Sequence, residues 1–215
     1  MATDWLEWHQ NYDHPGSSLP RRLAVVQQYI SRSLSELAAR ESGEVRLISL
    51  CAGEGRDVLP VLAAHDAGER VRALLVEIDP RLAGRARQTA ADLGRPRVVV
   101  RTADAGVTDA FLDFAPAHLV LACGIFGNIT SADVRATIAA LPGLLTPGGV
   151  VIWTRGRLED GTDPSERIRA WFAADGFTEL AFTAADDATF RVGMHQLSAQ
   201  PANGPAPGVR LFSFG

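Results

Sequence analysis

Apolar residues first recur every three or four positions, then settle into short continuous runs separated by helix-spaced polar stretches. Leu23, Val26, Ile30, Leu34 and Leu37 mark one face of a helix, with Arg21, Arg22, Gln28, Arg32 and Glu36 on the other. Pro20 suits its first turn and Ser42-Gly43 ends it. Downstream, the apolar runs 45–50, 71–76, 98–100, 118–122 and 150–153 predict strands. Helices are predicted over 56–64, 80–93, 132–141 and 164–175, with a short one near 107–112, and Asp163 is placed to cap the last of the long ones. Two further strands, about 178–182 and 189–197, flank an Asp-rich connection and read as a hairpin.

Strands that alternate with helices imply parallel pairing through helical crossovers. Their near-continuous apolar character implies helices on both faces. The expected fold is α/β: a Rossmann-like, doubly wound, mostly parallel seven-stranded sheet with an antiparallel C-terminal hairpin and an N-terminal helical extension. The expected boundaries are 1–43 for the helical lid or extension, 44–198 for the core and 199–215 for a tail, within one domain overall. The tail is rich in Pro and Gly up to Gly208, and its apolar end, 209–214, is expected to fold back on the body.

Composition narrows the function. Acidic residues outnumber basic ones, 25 to 21, a balance that disfavours broad binding to nucleic acid or anionic lipid. Two cysteines make no disulfide framework, no apolar run is long enough to span a membrane, and the acidic, aromatic N-terminus is not a signal peptide. A cytoplasmic protein is the expectation. No Cys/His cluster has metal-ligand spacing, so no metal is expected.

In such sheets ligands sit beyond the carboxyl ends of the strands. The first predicted strand runs into Leu50-Cys51-Ala52-Gly53-Glu54-Gly55, small residues that let backbone approach a ligand and turn sharply. The second ends in Glu77-Ile78-Asp79, where a carboxylate can accept from both hydroxyls of a ribose. The third is followed by Asp104-Ala105, where an Asp can accept from an exocyclic amine. Singly, each reads as a turn or a solvated strand end; jointly they make a sharper constellation. A nicotinamide dehydrogenase is the rival, but its fingerprint needs a glycine where this chain has Val58.

These segments resemble class I S-adenosylmethionine-dependent methyltransferases over roughly residues 45–197. More narrowly, the chain is similar to actinobacterial members that open with a Trp-x-x-Trp-His segment, here Trp5 to His9. The resemblance implies S-adenosylmethionine as cofactor. Cys51 (where a glycine is usual), Ala52, Gly53 and Gly55 would approach its amino acid part. Glu77 would bind the ribose, Ile78 would lie against the adenine, and Asp104 with Ala105 would hold the adenine amine. Cys123 and Gly124 would complete the cofactor floor, and 145–149 looks like the family's late Pro-Gly-Gly turn.

The acceptor side is less specific. The fourth strand runs into 122–129, which lines the reaction centre in this family but lacks the Asn/Asp-Pro-Pro-aromatic pattern of many amine-modifying members. Phe126, Asn128, Trp153, Arg155 and Trp8 are the candidate substrate contacts, with helix capping a competing role for Asn128 and pairing with a carboxylate one for Arg155. His9 and Tyr12 are the candidate catalytic residues, on an aromatic N-terminal face that either closes as a lid or packs on the body. The expected partner is a small-molecule acceptor, with no nucleic acid and no membrane; a homodimer stays open. The expected activity is in-line methyl transfer. The alternatives are other chemistry on the same cofactor, or a non-catalytic interaction protein with this fold.

Overall fold

The computed structural model describes residues 12, 14, 17–40, 42–158, 160–184, 187–199 and 203–214; Trp8 and His9 lie outside them. The elements in chain order are α1 (Leu19–Arg40), β1 (Val45–Leu50), α2 (Leu59–Ala64), β2 (Val71–Glu77), α3 (Pro80–Asp92), β3 (Val98–Thr102), β4 (Ala117–Ala122), α4 (Ser131–Ala140), β5 (Leu145–Gly156), α5 (Ser165–Ala174), β6 (Phe177–Ala184) and β7 (Phe190–Leu197). One seven-stranded sheet runs β3-β2-β1-β4-β5-β7-β6. The first five strands pair in parallel, and β7 enters antiparallel to both β5 and β6. Strand order therefore reverses at β1/β4, the topological position at which such sheets bind ligands.

Successive residues of a strand point to opposite faces, so each continuous apolar run feeds two cores. Leu47, Ala73, Leu75, Leu119, Leu121, Ile152 and Met194 pack against α1, α2 and α3 on one side. Ile48, Leu50, Leu74, Val76, Val120 and Trp153 pack against α4, α5 and the C-terminal segment on the other. α1 buries Val26, Ile30, Leu34 and Leu37, the stripe read from its periodicity. Asp79 caps α3 by accepting from the Arg81 N–H at 2.7 Å, and Pro80 fills its first turn.

Several predicted elements differ in extent. α2 begins only at Leu59, because the chain spends 51–58 on tight turns with Cys51, Gly53 and Gly55 all at positive φ. The short helix expected near 107–112 is two single 3-10 turns, Thr108–Ala110 and Leu112–Phe114. β5 continues past Trp153 to Gly156, held by pairing with β7 up to Gly156↔Phe190.

Residues 209–214 do fold back. Val107 bridges Arg210 antiparallel, Leu211 N–H donates to the Gly106 carbonyl at 2.8 Å, and Leu211 and Phe212 are buried. No helix among the described residues is long and apolar enough to cross a membrane.

Candidate active site

The turn after β1 is shaped by what it must avoid. A side chain on Gly55 would place its Cβ 2.7 Å from Leu59 Cδ1 and 2.9 Å from Leu75 Cδ2, and φ is +76° there, so only glycine fits without strain. Cys51 takes a left-handed φ of 51°, a conformation usually left to glycine. Glu77, at the end of β2, ties the turn to the next loop: its carboxylate accepts from Gly53 N–H at 2.7 Å and from Asp79 N–H at 2.8 Å. Burial pushes the Glu77 carboxyl above the ordinary range, opposed by the backbone N–H bonds from Asp79 and Gly53. Each carboxylate oxygen has two acceptor positions, so both retain capacity for a ligand hydroxyl.

Beyond these strand ends lies a cavity of about 210 Å³. Cys51, Ala52, Arg56 and Asp57 line it from the β1 turn, Glu77, Ile78 and Leu82 from β2 and α3, and Cys123 and Gly124 from the end of β4. Ile78 is 58% exposed, an apolar platform facing the opening. Burial raises the pKa of both Cys51 and Cys123, so these are neutral small side chains rather than thiolates.

Two chain ends complete the walls. Tyr12 and Arg22 close one side: Arg22 Nη2 donates to the Tyr12 hydroxyl at 2.6 Å, and the Arg56 guanidinium lies 5.3 Å from the centre of the Tyr12 ring. Burial, with the negative Asp57 nearby, pushes the Tyr12 phenol up to about 12, so it is a protonated hydroxyl at neutral pH. Burial likewise raises the Asp57 carboxyl, countered by the charge of Arg22. Phe214, from the C-terminal segment, also lines the cavity.

A second cavity of about 110 Å³ adjoins the first through Arg22 and Gly124. Gly127, Asn128, Thr154 and Arg155 line it, with Ser18 just before α1, Leu19 at its start and Phe190 from β7. The loop after β4 is fixed from both sides: Gly124 N–H donates to Thr154 Oγ1 at 2.8 Å, and Asn128 Nδ2 donates to the Gly124 carbonyl at 2.7 Å.

No protein-family model matches the chain, and no curated protein matches it in sequence. Solved structures do match. The magnesium protoporphyrin IX methyltransferase of Synechocystis PCC 6803, crystallised with bound S-adenosylhomocysteine, superposes with a TM-score of 0.64 at 15% identity, over 91% of this chain and 94% of that one. The chain has the class I methyltransferase fold. An O-methyltransferase family protein from Burkholderia thailandensis gives a TM-score of 0.61 at 16% identity, over 89% of this chain and 63% of that one. Fibrillarin from Aeropyrum pernix, with natively bound S-adenosylmethionine, gives 0.56 at 14% identity, over 71% and 66%.

Within this methyltransferase fold the expected cofactor residues divide. Cys51, Ala52, Glu77, Ile78, Cys123 and Gly124 share the larger cavity, and Gly53 and Gly55 shape the turn beneath it. Asp104 and Ala105 do not line that cavity. The Asp104 carboxylate accepts from Gly106 N–H at 2.8 Å and pairs with Arg210 at 3.0 Å, while Ala105 is buried. On the acceptor side, Asn128 and Arg155 reach the second cavity. Phe126 and Trp153 are corrections: both rings are wholly buried. Trp153 stacks with Phe172 at 5.9 Å and donates from Nε1 to His195 Nδ1 at 3.1 Å, because β5 carries on past it and leaves it mid-strand. Asn128 is not the helix cap; Thr130 caps α4, accepting from Asp133 N–H at 3.1 Å. Arg155 has no carboxylate partner among the described residues and donates from Nη1 to the Phe126 carbonyl.

Sequence reading missed Arg22, Arg56, Asp57, Leu82 and Phe214. Asp57 and Leu82 follow strand ends closely enough to have been nominated by position alone. Arg22 and Phe214 carry no local signal, because they reach the cavity from the two ends of the chain.

Proposed function

We propose that this protein is an S-adenosylmethionine-dependent methyltransferase acting on a small molecule by in-line methyl transfer. The observation that carries the reading is the Glu77-centred cavity at the reversal of strand order. Its donor and acceptor set fits the cofactor. Glu77 keeps acceptor positions for the ribose hydroxyls, Ile78 and Leu82 offer an apolar bed for the adenine, and the neighbouring Phe214 forms an opposing wall. Asp57 supplies a carboxylate to a ligand that is cationic at its sulfonium and ammonium groups. A bound cation would draw the raised Asp57 pKa down and hold it ionised.

The cofactor supplies an electrophilic methyl group, so the protein's task is chiefly placement. Gly124 belongs to both cavities and marks the passage between donor and acceptor. Tyr12, kept protonated, serves as a hydrogen-bond donor oriented by Arg22 rather than as a resting base. His9 is retained as the candidate base for a hydroxyl acceptor. Asp104 and Ala105 are assigned to the adenine end through their loop, whose position the Arg210 pair fixes. The modest size of the second cavity supports a small acceptor over a macromolecule.

The test is incubation of the full chain with S-adenosylmethionine and a mixed small-molecule extract, followed by mass spectrometry. S-adenosylhomocysteine formed together with a singly methylated compound supports the proposal. Cofactor breakdown without any methylated product would replace transfer with another reaction of the sulfonium.

A further inference from the structure

The second cavity is cationic in a protein whose acidic residues are in excess. Its central side chain is Arg155, half-buried at the carboxyl end of β5. Other guanidiniums here take carboxylates: Arg135 takes Asp175, Arg169 takes Glu179 and the buried Arg191 takes Asp163. Arg155 takes none among the described residues. It has five N–H donors, and its hydrogen bond to the Phe126 carbonyl uses one. That bond anchors one nitrogen of the fork to the loop after β4, and Arg155 lines the cavity.

The surroundings add to the positive field. Arg22 lines the same cavity, and burial, with the charge of Arg167 adding to it, pushes the Arg155 guanidinium below its ordinary pKa. An isolated cation held in a half-buried site costs solvation, which an arriving anion offsets. Planar guanidinium matches carboxylate and phosphate oxygens two at a time. The neighbouring groups suit a small organic body on that anion: Phe190 and Leu19 are apolar, and Asn128 keeps its carbonyl oxygen as an acceptor while its amide nitrogen is engaged.

We infer that the methyl acceptor carries an oxyanion, a carboxylate or a phosphate, which Arg155 receives in the cavity beside Gly124. The inference rests on the methyltransferase reading and assigns its substrate class. The anion end docks on Arg155, and the rest of the acceptor extends past Gly124 towards the cofactor cavity. Arg155 then acts in binding and orientation, not in proton transfer.

The test uses full-length protein saturated with S-adenosylhomocysteine, titrated with benzoate, phenyl phosphate and the neutral benzyl alcohol. At least one anionic probe should bind about ten-fold or more tighter than benzyl alcohol, the worth of a charge-assisted pair. Which anion prevails separates carboxylate from phosphate. Arg155→Gln should abolish the preference and leave S-adenosylhomocysteine affinity within about two-fold, whereas Arg155→Lys should retain part of it. Equal binding of the neutral probe, no binding of any probe, or a preference that survives Arg155→Gln overturns the inference while leaving the cofactor reading intact. Displacement of S-adenosylhomocysteine by the anions also overturns it, since they would then occupy the cofactor cavity. Failure of S-adenosylhomocysteine itself to bind wild-type protein overturns the methyltransferase reading and this inference with it.

Discussion

Gly106→Ala should loosen the C-terminal segment and, through it, the cofactor cavity. A Cβ on Gly106 would stand 2.3 Å from the backbone carbonyl oxygen of Phe212 and 3.0 Å from Asp104 Oδ1. The first contact is with main chain, so no rotamer change relieves it. The segment is held by Thr108 N–H to the Val209 carbonyl at 3.0 Å, Leu211 N–H to the Gly106 carbonyl at 2.8 Å, the Arg210–Asp104 pair, and the burial of Leu211 and Phe212. Burying those two side chains contributes about 3–6 kcal/mol together. Ordering the backbone of 209–214 opposes docking by about 1–2 kcal/mol per residue, about 6–12 kcal/mol in all, so burial alone does not hold the segment and its hydrogen bonds and ion pair are needed as well. The docked state is thus held by a thin margin, and overpacking at about 1–3 kcal/mol is enough to shift or release it. The expected result is a loss of about 1–3 kcal/mol by urea unfolding, earlier proteolytic cleavage after Gly208, and several-fold weaker S-adenosylhomocysteine binding as Phe214 leaves the wall. A variant with wild-type stability, cleavage pattern and affinity would refute the claim that this segment is docked against Gly106.

Two further outcomes follow from the same structure. Burial lowers the His195 pKa from 6.5 to about 4, with Glu179 opposing and Arg169 assisting. The folded form therefore disfavours the protonated ring, so His195 contributes stability that is full above pH 6.5 and is lost as pH falls towards 4, roughly 3 kcal/mol in all. In urea titrations across that range, His195→Gln should lose less stability than wild type, and identical losses would contradict the assignment. Gly55→Ala, with φ at +76° and Leu59 and Leu75 within 3 Å of the new Cβ, should cost about 2 kcal/mol or more and weaken cofactor binding; an unchanged thermal midpoint and affinity would show that the turn is not constrained as described.

The sheet was legible because its strands are continuous apolar runs that need helices on both faces, and because 178–197 carries its own hairpin signal. The lining of the larger cavity was legible for a related reason: residues immediately after strands surround a strand reversal, so Cys51, Ala52, Glu77 and Ile78 could be nominated by position. The errors have physical origins too. Placing the end of β5 at Trp153 made that indole a cleft residue; hydrogen bonding to β7 carries the strand on to Gly156 and turns the ring into the core. Reading 56–64 as helix ignored the steric demands of Gly53 and Gly55, which delay the first helical turn to Leu59. Arg22 and Phe214 were invisible because their place at the cavity depends on tertiary contacts between segments far apart in sequence. That Arg155 meets no carboxylate among the described residues likewise follows from which acids the fold brings near, and no local pattern records that.

The central claim is tested most directly by calorimetric titration of full-length protein and its Glu77→Ala variant with S-adenosylmethionine and S-adenosylhomocysteine. Glu77 would give two charge-assisted hydrogen bonds to the ribose, about 1.5 kcal/mol or more apiece, so its removal should weaken binding by about 100-fold or more. The account predicts micromolar affinity for both ligands in wild type and its near-complete loss in a folded Glu77→Ala protein. Absence of binding to folded wild-type protein, or equal affinity in the variant, would contradict it.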